Sequence, residues 1–158
     1  TQEVIPYRTK TKANAAGSLR STLTDYSKFI GEILKQNSQK SKTTALLFEK
    51  NIRIKSKTQF GYSAWQDTNE NDAIELSYGL GWGVLKSPYG IGAFKEGHDN
   101  GFQHYSIVFP DKQIAIVLLS NSDNAESIFK ELLEITIKDT YTPWKWERYI
   151  PYNLEAKH

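Results

Sequence analysis

Between Ser21 and Gln36 apolar residues return at helical spacing: Tyr26, Phe29, Ile30, Ile33 and Leu34 stand at i, i+3, i+4, i+7 and i+8. This spacing lines one face of an amphipathic α-helix, and Ser21 or Thr22 just ahead of it is the expected N-cap. The apolar group Ala45 to Phe48 predicts a second helix inside a basic stretch. From Lys35 to Lys57 the chain carries seven Lys or Arg against one acid, Glu49, which reads as a solvated face. Residues 66–75, "QDTNENDAIE", are polar and rich in turn formers and predict a surface loop.

After that loop the period changes from helix to strand. "YGLGWGVLK" alternates glycine with bulky residues, the pattern of a strand that kinks or lets another backbone come close. "IGAFKEGH", "FQHYSIVF" and "QIAIVLLSN" predict three consecutive strands, 91–98, 102–109 and 113–120, in an antiparallel meander. Asn100 and Gly101 tolerate the positive φ of a type I′ turn between the first two, and "PDK" joins the second to the third. A helix follows over 122–140, with Ser122 or Asp123 as cap and Ile128, Leu132 and Ile135 on the face that covers the meander. The tail, 141–158, predicts an extended segment laid over a surface by Trp144, Trp146, Tyr149 and Tyr152. The fold class is therefore α+β in a single unit: a helical region over residues 1–75, antiparallel strands over 76–121, a covering helix over 122–140 and an aromatic tail over 141–158.

Composition narrows the function classes. A formal charge of +2 on 158 residues gives no argument for a nucleic-acid partner. The absence of cysteine excludes disulfides and thiolate metal sites and leaves the redox compartment open. The longest aliphatic run, Ile114 to Leu119, is far too short to span a bilayer. Methionine is absent even at position 1, so Thr1 is not a translation start and further chain upstream is expected.

Three constellations are candidates for chemistry. His98, Asp99 and His104 offer metal-ligand types, but adjacent strand positions point to opposite faces and no further ligand converges on them, so no metal or cofactor is expected. Ser127 and Lys130 in "SIFK" form the sequence's one Ser-x-x-Lys, the spacing that brings an amine to a nucleophilic hydroxyl across a helical turn; the surrounding apolar pattern makes both surface residues. Lys95-Glu96-Gly97 ends a strand before a tight hairpin. Lys95 and Gly97 share a face, the missing side chain at Gly97 lets a substrate lie against the backbone, and the next N–H, that of His98, is placed to meet a developing oxyanion.

Those residues resemble the serine β-lactamase and penicillin-binding-protein superfamily, in particular the branch of class C β-lactamases, esterases and D-aminopeptidases. "AAGSLRSTLTDYSKFI" looks like the block after the family's second catalytic motif, and "YGLGW" like the strand before its third. "KEGHDNGFQHYSIVFPDKQIAIVLLSN" resembles, without a gap, the third motif Lys-Thr-Gly and its hairpin, including Gly101-Phe102, Tyr105, Pro110, Lys112 and Asn121. The resemblance implies that Lys95 tunes the charge of the site, that Gly97 is the motif glycine, and that the His98 backbone N–H forms half of an oxyanion hole. Glu96 and Asp99 fall at substrate-contacting positions. An alternative register sets His98 on a His-x-Gly motif; it puts Asn100 where glycine is required and needs a deletion before Gly101.

The resemblance implies a serine hydrolase that cleaves an ester, amide or peptide bond through an acyl-enzyme, of which this chain is the C-terminal portion. Glu96 replaces a hydroxyl that binds the substrate carboxylate in the lactam-cleaving members, and an acid there repels that group. The family's Ser-x-x-Lys and Tyr-x-Asn motifs lie upstream of the "AAG" block, so turnover is not expected from these residues alone. The alternative is a non-catalytic recognition module on the same fold. In the family the last strand of the sheet pairs with the first strand of the chain, so the Ile114 to Ser120 strand is expected to present an open edge to the missing N-terminal portion, a companion chain or a second copy. A periplasmic or secreted location is implied by the resemblance alone.

Overall fold

A six-stranded antiparallel sheet whose strands lie in chain order, β1 to β6, is the centre of the computed structural model, which describes residues 12–15, 17–38 and 41–152. The strands are β1 (Ile52–Arg53), β2 (Ser77–Tyr78), β3 (Gly83–Ser87), β4 (Gly90–Asp99), β5 (Phe102–Phe109) and β6 (Ile114–Ser120). The helices are α1 (Leu23–Ser38), α2 (Lys42–Leu47), α3 (Glu126–Ile137) and α4 (Trp144–Glu147). No helix among the described residues is long and apolar enough to cross a membrane. The N-terminal eleven residues of the predicted helical region and the last six of the tail lie outside the described residues.

Two cores lie on the two faces of the sheet. On one face Ile30 and Ile33 of α1 pack with Trp82, Ala93 and Val108. On the other Phe129 and Leu133 of α3, with Trp144, Trp146 and Tyr149 of the tail, pack with Leu85, Phe94, Tyr105, Ile107 and Phe109. β5 is therefore covered on both sides. That is why Tyr105 to Phe109 is a continuous buried run rather than an alternating one. Ser106, the polar member of the run, is satisfied by the Tyr26 hydroxyl of α1 at 2.9 Å.

The predicted strands 91–98, 102–109 and 113–120 are β4, β5 and β6, and the predicted loop 66–75 is a run of turns. Thr22 is the cap of α1, its Oγ1 accepting the Asp25 N–H at 3.1 Å. Phe29 departs from the expected face: it is half exposed and lies over Trp82, with ring centroids 6.5 Å apart. Several other expectations are corrected. "YGLGWGVLK" is not one strand but the β2–β3 hairpin, closed by the Gly79 N–H to the Trp82 carbonyl at 2.8 Å with Gly81 at φ +82. The Asp99-Asn100-Gly101 turn is not type I′, because Gly101 alone takes positive φ. Residues 1–75 are not purely helical, since β1 lies within them.

α3 begins later than predicted and buries a different stripe. Neither Ser122 nor Asp123 caps it; Asp123 Oδ1 instead accepts the Gly101 N–H at 2.6 Å and ties the hairpin to the helix approach. Phe129 and Leu133 are buried, whereas Ile128 and Ile135 are exposed. The tail is not an extended surface layer. It turns through α4, and Trp144, Trp146 and Tyr149 become core while Tyr152 stays exposed. Asp139, fully buried, starts that turn by accepting the Tyr141 N–H at 2.8 Å and the Thr142 hydroxyl at 2.6 Å.

Candidate active site

The pleat of β4 divides the Lys95–Asp99 segment between the two faces. Lys95 pairs across the ladder with Ser106, and Gly97 with His104. Ser106 touches Tyr26 of α1, so Lys95 and Gly97 lie on the α1 face, as does Asp99 opposite Phe102. Glu96, opposite Tyr105, and His98, opposite Gln103, lie on the α3 face. The structure thus brings Lys95 and Gly97 together and sets the side chains of Glu96 and His98 apart from them.

β3 pairs with β4 only from Gly90 to Phe94, so the segment 95–99 runs on past its neighbour with one flank unladdered by β3. The Lys95 carbonyl accepts the Ser106 hydroxyl at 3.3 Å and therefore faces β5. In an antiparallel strand alternate residues address alternate flanks, so the N–H groups of Glu96 and His98 are directed to the flank that no other described strand pairs. Lys95 is exposed, and its Nζ donates to the Glu96 carbonyl at 3.0 Å. A Cβ built on Gly97 meets nothing within 4 Å, so the space above it is open. An exposed amine, an open glycine and a free backbone donor on one strand end can together receive a polarised carbonyl.

On the α3 face the chemistry is different. Glu96 Oε1 accepts the Gln59 side-chain N–H at 2.8 Å, and His98 Nδ1 lies 3.3 Å from Glu126 Oε1. Burial raises the Glu126 carboxyl, opposed by the charge of His98 and reinforced by that of Glu96. Deeper in, Glu147 is 6% exposed, and neither of its carboxylate oxygens has a hydrogen-bond partner among the described residues. Burial, and then the charges of Glu96, Glu126 and Asp139, push it well above the ordinary carboxylate range. Burial first, then Glu147, pushes the Tyr149 phenol up as well. Sequence reading missed this acid because it sits in a tail whose aromatic pattern suits a surface segment.

His98, Asp99 and His104 do not converge: His104 stacks on Phe102 with centroids 5.4 Å apart, on the face away from His98. Among the described residues no group of His, Cys, Asp or Glu is placed to hold a metal ion. Ser127 and Lys130 do not pair either. The serine hydroxyl donates to the Asn124 carbonyl at 2.6 Å, and Lys130 is engaged by Glu134 at 2.5 Å.

The Beta-lactamase family model matches residues 2–136, and the chain belongs to that family. The match takes in α1, the whole sheet and nearly all of α3, and ends before α4. The fold is accordingly that of a serine-hydrolase-like domain. No curated protein matches the chain, and no solved structure does.

Proposed function

We propose that this chain supplies the third-motif side of a serine hydrolase that cleaves an ester, amide or peptide bond through an acyl-enzyme. The supporting observation is the end of β4. There Lys95 stands exposed, Gly97 leaves the backbone open, and the strand runs past β3 with the His98 N–H directed to its free flank. In this reading the serine comes from polypeptide outside these residues. It attacks the substrate carbonyl, and the His98 N–H shares the charge that develops on the carbonyl oxygen. Lys95 holds a positive charge beside the reacting groups and favours the deprotonated state of the group that takes the serine proton. The His98 side chain, turned to the α3 face, has no role in the reaction.

The serine-bearing polypeptide is the expected occupant of the β6 edge. Among the described residues β6 pairs with β5 alone, and an open groove of about 380 Å³ between α1 and β6, with Ile30, Leu34, Ala115 and Val117 in its walls, runs beside it. An unpaired apolar strand is a template for strand addition. Labelling of the full-length protein by a serine-reactive fluorophosphonate tests the chemistry. Lys95→Ala should reduce labelling and turnover by orders of magnitude; unchanged labelling and turnover would remove Lys95 from the reaction. Val117→Lys, which sets a charge in the β6 groove, should weaken association with the serine-bearing polypeptide. A pure homodimer of the 158-residue chain that Val117→Lys dissociates would assign the edge to a second copy instead.

A further inference from the structure

A second candidate site lies where the loop after β1, tied to Glu96 through the Gln59 side chain at 2.8 Å, meets the tail. The loop carries two exposed rings, Phe60 and Tyr62, and the tail contributes Arg148 directly after α4. Thr58, Phe60, Tyr62, Ser63 and Arg148 enclose an open pocket of about 190 Å³. Its construction depends on Gly61. That residue sits at φ +83, which glycine adopts without strain, and a Cβ there would lie 3.0 Å from Nη1, at the movable end of the Arg148 side chain.

Arg148 has a fixed backbone, and its exposed side chain makes no ion pair with a described residue. Its backbone is left-handed at φ +64, and its N–H closes α4 onto the Lys145 carbonyl at 3.3 Å. The flanking Glu147 and Tyr149 are buried, which fixes where the arginine emerges. A non-glycine residue in this backbone region is a strain that the surrounding packing must sustain. No carboxylate among the described residues forms an ion pair with Arg148. Its neighbour Lys145, by contrast, is neutralised by Glu70 at 2.5 Å.

We propose that Arg148 and the Thr58–Ser63 loop form a binding site for a small carboxylate carried on an aromatic ring. The planar guanidinium matches a carboxylate in a two-bond fork, and Phe60 and Tyr62 supply ring faces for the apolar portion of the same ligand. The pocket is smaller than the ~300–1,000 Å³ of drug-sized sites, which limits the ligand to about one ring or to one such group at the end of a larger molecule.

Benzoate is the probe. Benzamide keeps the ring and removes the charge, and acetate keeps the charge and removes the ring. Titrated into the whole chain, benzoate should shift the Gly61 and Ser63 amide resonances saturably and at least about tenfold more tightly than either control. Arg148→Gly suits the left-handed backbone, so it should keep or raise the melting temperature while abolishing benzoate binding. Arg148→Lys should weaken binding about tenfold, because a lysine has no fork. Benzoate binding unchanged in Arg148→Gly, benzamide as tight as benzoate, or no saturable shift at all would each overturn the proposal. It does not rest on the hydrolase reading, and Lys95→Ala should leave benzoate binding unchanged.

Discussion

Replacing Glu147 with glutamine should make the protein more stable at neutral pH and leave it nearly unchanged in acid. In the fold this carboxyl is 6% exposed and faces acids from three directions: Glu96 on β4, Glu126 on α3 and Asp139 before the tail, with Lys95 as the weaker opposing charge. The Tyr105 and Tyr149 phenols, themselves raised by burial, share the same region. Burial, then the neighbouring charges, raises its folded pKa above the unfolded value near 4.5, so the folded chain holds a proton that the unfolded chain releases. Below that value both states are protonated and ionisation makes no difference to stability. As pH rises above it, stability falls by up to about 1.4 kcal/mol per pH unit until the folded pKa is reached.

Between pH 5 and 7 the cost is therefore at most about 2.7 kcal/mol, or roughly 5–11 °C of melting temperature for a chain of this size. Glu147→Gln keeps the shape and cannot ionise. Its melting temperature should match the parent below pH 4.5, the ordinary value for this carboxyl, and exceed it increasingly as pH rises, measured by calorimetry across one buffer series. A difference between parent and variant that stays constant from weak acid to neutrality would refute the reasoning, because it would mean that Glu147 titrates alike in both states.

Gly83→Ala should destabilise the sheet by about 1–3 kcal/mol in chemical denaturation. Its Cβ would run into the ring of Phe94, and pairing it with Phe94→Leu should recover some of the loss; a Gly83→Ala chain as stable as the parent would deny the close approach. Glu75 is bonded by Lys50 and Lys86, which hold its carboxyl down to about 2. The stabilisation it brings is present above the ordinary carboxylate pKa and is lost as pH falls towards about 2, so a carbon-detected titration should place its midpoint near that value, and a midpoint at 4.5 would dissolve the cluster.

Local pattern carried much of this fold. The 3.6-residue period of α1, the change to strands after residue 75 and the β4–β5–β6 meander all follow from interactions between residues close in the chain. Lys95 and Gly97 were legible as a pair on one face because alternation along a strand is a local rule. The same rules misplaced the stripe of α3, where Ile128 and Ile135 have the right spacing for one face but Phe129 and Leu133 are the residues that meet the sheet. Periodicity fixes which residues share a face, and only the packing partner decides which face is inward.

What tertiary structure alone decided lies between segments far apart in sequence. That β3 stops at the partner of Phe94, leaving the end of β4 with a free flank, depends on strand lengths that no spacing rule sets. That the tail is core depends on Trp146 reaching Ser56 and on Trp144 packing at a tilt against Tyr105, contacts that go with the burial of Glu147 and bring Arg148 beside Gly61. The sequence by itself determined the residue types at the β4 end and their order. Their chemical surroundings come from side chains that only the folded chain brings within bonding distance, because burial and charge act through space and not along the backbone.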